Sequence, residues 1–326
     1  MKVEKAPGQK KSRRSCRGCC GATALILLAP PALMGLFTML CLGMLVVSLI
    51  IMAFVIYFPF PTGMPAVEEV TEVSDVDGMV MVYVPEGDFA MGSTDEDIDR
   101  VLASCIDCDR EWYDHEQPQH TVRLDAFWID KTEVTNAMYE KCVEAGVCEE
   151  PGCAYFGSPE YADHPVICVD WYRAQTYCEW AGRRLPMEAE WEKAASGTDG
   201  RVYPWGGRIN CSKSNFDIYG LGLNLCNPGG ATAPAGSYQR GISPYGALNM
   251  AGNASEWVAD QYDSSYYSNS PEENPQGPAS GEDARILRGG SWEDDEWNVR
   301  TTTRYRSYPV FSSYGFGFRC ALSEEE

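Results

Sequence analysis

The chain has 326 residues, 22% of them charged and 44% hydrophobic, which is enough to bury a large core. Residues 1–20 hold seven bases and one acid, a net of +6, so the overall −21 leaves −27 on the remainder. A body that acidic excludes nucleic acid as a partner, because phosphate binding needs a basic face. It suits divalent cations or, as the default, a solvated acidic surface.

No charge occurs from Gly21 to Val67. After Pro30 and Pro31, Ala32 to Phe58 reads as apolar helix, long enough at ~40 Å to span a bilayer of ~30 Å hydrocarbon with tilt. Tyr57, Phe58 and Phe60 fall at the outer interface. The basic tail, residues 1–20, is expected in the cytoplasm, with residues 21–60 as anchor and the body outside. A cleaved signal peptide fits less well, because the apolar stretch is too long and lacks a small-x-small cleavage site. The result is a single-pass protein of the cell membrane.

Fourteen cysteines are present. Cys16, Cys19 and Cys20 lie in the tail, where lipidation is a weak signal, and Cys41 lies in the anchor. Ten are in the outer body, and an even number in an exported domain points first to disulfides. Cys105-x-x-Cys108 has two other readings, a redox pair or half a zinc site. It lacks a second CxxC and thioredoxin-like surroundings.

Residues 61–78 have the composition of a stalk, and a single domain is expected over 79–323. "MVMVYVP" followed by "DFAMGS" predicts two strands around a turn, and "HTVRLDAFWIDKTEVT" a further strand. Three helices follow. The first covers about Thr135 to Ala145, with Met138, Cys142 and Ala145 as its stripe and Gly146 as its stop. The second starts at the N-cap Asp170 and repeats Trp171, Ala174, Cys178 and Ala181 inward until Gly182. The third starts near Pro186, with Glu188 and Glu190 in the dipole-favoured first turn. From Gly197 onward helical periodicity is nearly absent, and turns, aromatics, disulfides and metal are expected to hold the chain.

Seven segments, in order, carry a family resemblance: "VYVPEGDFAMGS", "EQPQHTVRLDAFWIDKTEVTNAMY", "HPVICVDWYRAQTYCEWAGRRLPMEAEWEKAASG", "YPWGG", "SPYGALNMAGNASEWVAD", "RGGSW" and "GFGFRCA". Together they resemble the formylglycine-generating-enzyme (sulfatase-modifying factor) family from about Met79 to Leu322. The resemblance implies an α+β, loop-rich, C-type-lectin-like fold, here preceded by one transmembrane helix. It also implies a Cys178–Cys320 disulfide, worth at most on the order of 5 kcal/mol for so long a loop. Cys211–Cys226 and Cys142–Cys148 are expected as local pairs, and Cys153–Cys168 beside them.

In "NMAGNASEW", Asn249 and Glu256 offer hard oxygen ligands, and Gly252 and Ala254 offer carbonyls from a tight loop, which suits calcium. The family binds calcium in the matching loop. A second family site maps to Asn215, Phe216 (carbonyl), Asn227 and Gly229 (carbonyl), residues that can equally be turn formers bonding their own backbone. Calcium at either place would be structural. Ser255 replaces an aromatic that borders the substrate groove in many members.

The family's oxidases bind copper(I) with two cysteines after "GGS", since soft thiolates suit that ion. Those positions fall at Asp294 and near Val299, so copper oxidation is not expected. Nor is the non-haem iron chemistry of a related branch, because His115, His120 and His164 form no helical pair and no extra domain is present. Glu293 to Glu296 are expected to be solvated, or to hold a cation or basic ligand. Arg300 and Arg304 would take an anion or brace the groove, with bracing favoured for Arg300. Ser291, without a base or metal beside it, and Arg304 are the only catalytic candidates. Trp292, Asp294, Arg304 and Tyr308 are the expected ligand contacts, and Ser307 to Tyr314 looks like a binding surface. The leading expectation is a membrane-anchored binding module for a protein, peptide or glycan. The alternatives are a formylglycine-type oxidoreductase acting on a protein cysteine, and a structural surface module.

Overall fold

The computed structural model describes residues 70–324 apart from 106, 219–225, 228 and 229. The expected tail, membrane helix, residues 61–69 of the stalk and the ligand candidate Gly229 lie outside the described residues. Among the described residues, no helix is long and apolar enough to cross a membrane.

The body starts earlier than expected. Residues Thr71–Val73 form β1, antiparallel to β2, Val80–Val84. Asp77, on the turn between them, is fully buried against Tyr177 and Arg183. The second half of the presumed stalk is therefore an edge of the domain.

β2 and β3 (Gly87–Met91) flank the expected turn but enter different sheets. β3 pairs with β4, His120–Leu124. β2 pairs with β5, Phe127–Asp130, which also pairs with the C-terminal β10, Ala321–Ser323. The expected long strand from His120 is thus β4 and β5, broken at Asp125 and Ala126. Between β3 and β4 lie α1, Asp95–Leu102, under a Thr94 capping box, and a 3-10 turn over Arg110–Glu116.

α2, Asn136–Glu144, is capped by Thr135. Its buried face is Asn136, Tyr139 and Cys142, not Met138, Cys142 and Ala145. Tyr139 determines that rotation by stacking on Tyr177 with ring centroids 5.4 Å apart. α3, Trp171–Trp180, has its cap at Asp170 and buries Trp171, Ala174, Tyr177 and Cys178. α4, Glu188–Ser196, starts two residues after Pro186 and is buried on every side. A second four-stranded sheet, in the order β8-β7-β6-β9, joins β6 (Ser255–Gln261), β7 (Arg285–Arg288), β8 (Arg304–Ser307) and β9 (Phe316–Phe318). One apolar core lies between α4 and β2–β6, and a second lies among α2, α3, Trp257 and Phe318.

All ten cysteines from residue 70 onward are paired. The expected Cys178–Cys320, Cys142–Cys148, Cys211–Cys226 and Cys153–Cys168 bonds are present, and Cys105–Cys108 is a fifth. The bond excludes half a zinc site in this oxidised state and is itself the form an oxidised redox pair takes.

Candidate functional site: an acidic groove over buried arginines

The segment after β7 turns on two glycines. Gly289 and Gly290 have φ of 84° and 65°, and a Cβ at Gly290 would lie 2.7 Å from the Asn298 carbonyl oxygen. This turn brings Ser291 and the acidic run back over the sheet. Asp294 accepts from the Ser291 amide at 2.7 Å and from its hydroxyl at 2.8 Å. Asp295 accepts from the amides of Trp297 and Asn298 at 3.0 and 3.1 Å. These two acids fold their own loop instead of forming a solvated face.

Glu293 and Asp294 line a cavity of about 310 Å³ with Ser255, Ser291, Tyr305, Ser313, Gly315 and Phe316. None of the residues lining this cavity is basic. Partial burial, then the Asp294 charge, raises the Glu293 pKa from its ordinary value. Burial also raises Asp294, against the bonds from Ser291 that lower it. Gly315 keeps the space open, since a Cβ there would lie 2.9 Å from Ser291 Oγ and 3.4 Å from Glu293 Oε2. Trp292 does not line this cavity, and its indole Nε1 donates to the Tyr314 carbonyl at 3.2 Å.

The arginines lie beneath the loop. Arg300 makes two bonds to Glu116, at 2.8 and 2.7 Å, and donates from Nε to the Trp297 carbonyl at 2.7 Å. It is a brace, as favoured from sequence. Arg304 was expected as a ligand contact and catalytic candidate, but it is 4% exposed. Its Nε and Nη2 bond both Glu188 oxygens at 2.7 and 3.0 Å, and Nη1 donates to the His115 carbonyl at 2.7 Å. Its guanidinium packs 4.2 Å from the Tyr267 ring centroid. Burial penalises the Arg304 charge, but Glu188 outweighs it and the net shift is upward. Glu188 is likewise penalised by burial, then held below its ordinary value by Arg304 and Arg288. Arg304 is therefore part of the frame. Arg288 completes this layer through Glu188 at 3.1 Å and Glu192 at 2.5 Å.

Sequence reasoning gave Glu188 only a helix-dipole role and assigned none to Glu116 or Glu192. The available signal was the Glu188/Glu192 spacing of i, i+4, which puts two acids on one face of a helix otherwise rich in alanine.

Tyr308 is also separate from the groove. It is 56% exposed and lines another depression with Tyr172, Arg285, Pro309, Val310 and Phe311. The Trp171 amide donates to the Pro309 carbonyl at 3.0 Å, which holds this loop against α3.

In the 249–256 loop, Asn249 and Asn253 have φ of 58° and 70° and Gly252 has 79°. Asn249 donates through Nδ2 to Glu133 at 2.9 Å and to the Ala235 carbonyl at 2.7 Å, while its Oδ1 is buried without a partner. Glu256 accepts from Arg319 at 2.6 and 2.7 Å and from the Trp191 indole at 2.7 Å. Burial, then the Glu256 charge, pushes Glu133 up to about 7. The unpartnered Asn249 oxygen is a hard donor open to a cation, while the Glu256 oxygens already bond Arg319 and Trp191. Ala254 is buried in the same loop. At the second candidate site, Asn215 and Asn227 each donate from Nδ2 to the Ala231 carbonyl, at 3.1 and 2.9 Å, and Phe216 is buried. Asn227 thus bonds carbonyls close by in its own loop, as a turn former does, whereas Asn215 ties that loop to Asn253.

The mixed α+β frame, the paired-glycine loop and the 178–320 disulfide are those expected of a sulfatase-modifying-factor type of domain. Residues 67–324 match the family described as "Sulfatase-modifying factor enzyme 1-like domain". The chain belongs to that family. It is 36% identical over 297 residues to the formylglycine-generating enzyme of Streptomyces coelicolor, covering 74% of this chain and 88% of that protein. It is 34% identical over 263 residues to the serine/threonine-protein kinase pkn1 of Chlamydia caviae, again covering 74% of this chain. There it spans only 37% of the relative's length. The fold matches the structure of PvdO from Pseudomonas aeruginosa with a TM-score of 0.62 at 24% identity, over 81% of this chain and all of that one.

Proposed function

We propose that the chain is a membrane-anchored, extracytoplasmic, non-oxidase member of the family whose groove binds a cationic group on a protein or peptide. The supporting observation is the Ser291 cavity, which carries two carboxylates and no base. The nearby arginines are committed to Glu116, Glu188 and Glu192 and do not neutralise it. A lysine or arginine head would pair with the exposed Glu293 and the half-buried Asp294, and Tyr305 and Phe316 line the same cavity, where a cation–π contact would add to the pairing. A sugar, having no charge to offer these acids, fits less well.

Copper does not fit. Asp294 and Val299 stand at the thiolate positions, and every cysteine among the described residues is in a disulfide. Calcium does fit Asn249 and Glu256, with carbonyls from Gly252 and Ala254, where it would tie together loops poor in ladder hydrogen bonds. The membrane assignment rests on the charge-free run and the basic tail.

The groove is tested with a doubly capped Gly-Lys-Gly peptide and the full chain. Binding is expected for the wild type and lost in Gly315→Val, whose side chain fills the cavity. Equal binding by both would refute the groove as the site. The rival reading, a formylglycine-type oxidoreductase, is favoured by the identity to the Streptomyces enzyme. Formylglycine formed from a Cys-x-Pro-x-Arg peptide with copper and oxygen would establish it; no product is expected.

A further inference from the structure

The segment 94–115 is an excursion from the body, closed at its neck. The Ser93 amide donates to the Glu116 carbonyl at 2.8 Å, and its hydroxyl donates to the Glu116 carboxylate at 2.7 Å. Its C-terminal end is held to the body, by the Arg304 bond to the His115 carbonyl and by Arg300, 5.1 Å from the Tyr113 ring centroid. The part before that end has a small apolar core of Ile98, Val101 and Tyr113, with Leu102 and Cys108 at the edge and Trp297 from the body. Its ion pairs, Arg100 to Glu96 and Asp97 and Arg110 to Asp95 and Asp99, are exposed and so worth little. The Cys105–Cys108 bond sits at the end of α1, where the Cys105 amide donates to the Val101 carbonyl at 2.9 Å. Tyr113 donates its hydroxyl to Cys108 Sγ at 3.2 Å, so the cross-link fixes the tip of the excursion onto its own core.

Two features bear on how readily this bond is reduced. Both its cysteines are partly exposed, as Cys211 and Cys226 are, whereas Cys142, Cys178 and Cys320 are fully buried. It spans three residues, against 142 for Cys178–Cys320, so it restricts the unfolded chain far less. Accessible bonds of this kind are the labile ones. The excursion also covers a cavity of about 650 Å³. Asp97, Arg100, Val101 and Ser104 form one wall, facing Tyr203, Ile209, Glu296 and Trp297.

We propose that residues 94–105 are a flap latched at its end by the Cys105–Cys108 disulfide, and that an external dithiol unlatches it. One thiolate of the dithiol attacks a Cys105 or Cys108 sulfur. The protein S–S bond breaks, a mixed disulfide forms, and the other cysteine leaves as thiolate. The second thiol of the reagent then displaces the mixed disulfide. Two electrons and two protons pass to the protein, giving two cysteine thiols, and the dithiol becomes a disulfide. Without the cross-link, the end of α1 is no longer tied to Cys108, which stays beside the Tyr113 that Arg300 holds. The flap opens and exposes the large cavity and Trp297. Trp297 shares its loop with Glu293 and Asp294, so the latch reaches the groove loop whatever the groove binds.

The test exposes the full chain, natively folded, to graded dithiothreitol, then alkylates free thiols and maps them by mass spectrometry. Cys105 and Cys108 should be modified at a reductant concentration at least about tenfold below that for Cys178 and Cys320. Amide hydrogen exchange over residues 95–105 should rise at least about tenfold in that sample, with 255–261 unchanged. The Cys105→Ser/Cys108→Ser variant should show the fast exchange without reductant. Survival of the pair until the buried bonds are also reduced would overturn the proposal. So would selective reduction of the wild-type chain that leaves exchange over 95–105 unaltered.

Discussion

Carboxylates lie on both sides of the segment from Arg288 to Arg304, and the two sets differ in role. Beneath it, Glu116, Glu188 and Glu192 are fully buried, and each meets an arginine. Above it, Glu293 and Asp294 edge a cavity and meet none. The same residue types thus make a charge-balanced frame and an unbalanced groove. Whether an acid is structural or available to a ligand depends on which guanidinium it reaches, not on its burial alone.

The largest test of this contrast is Glu188→Ala. It leaves Arg304 and part of Arg288 as uncompensated buried charge, and should cost about 3–5 kcal/mol in urea unfolding. A loss below about 1 kcal/mol would mean that the layer is not a frame. Acid titration next separates Glu116 and Glu188 from the groove pair, whereas Glu192, raised by burial against the pull of Arg288, has the groove pair's sign. Glu116 and Glu188 have depressed folded pKa values, so their stabilisation is full above the unfolded carboxylate pKa and is lost as pH falls through the folded value. Glu293 and Asp294 are raised, so their contribution has the opposite sign, present at low pH and lost as pH rises through the folded values. Cation binding needs their ionised forms. On acidification, peptide binding should therefore fade at a higher pH than that at which circular dichroism reports unfolding.

A smaller effect is expected from Glu293→Gln. Peptide affinity should fall about fivefold, near the ~1 kcal/mol upper end for an exposed ion pair, with stability within about 0.5 kcal/mol of wild type. Tyr308→Ala should leave groove binding unchanged, since its depression is separate. A loss there would rejoin the two surfaces.

Much of the frame was legible in local chemistry. The caps Thr135 and Asp170 start α2 and α3, and the cysteine pairs form as expected. What escaped were features determined by distant partners. Tyr139 rotated α2 because a ring on α3 receives it. β2 and β3 entered separate sheets because β5 and β4 respectively claim them. Arg304 and Tyr308, close in sequence to Ser291, were expected in one groove. Glu188, 116 residues away, draws Arg304 inward, and α3 holds the Tyr308 loop aside. The acidic run was legible as charge. That Asp294 and Asp295 would fold the loop while Glu293 faces a cavity depended on the Gly289-Gly290 turn.

The central claim is that the groove selects a positive charge. Calorimetric titration of the full chain with doubly capped Gly-Lys-Gly, against the same peptide carrying norleucine, tests it most directly. The two side chains share their methylene stem and differ in the ammonium group. Binding of the lysine peptide at least about fivefold tighter, with the difference reduced in Glu293→Gln, is the predicted result. Equal affinity for the two peptides would contradict it.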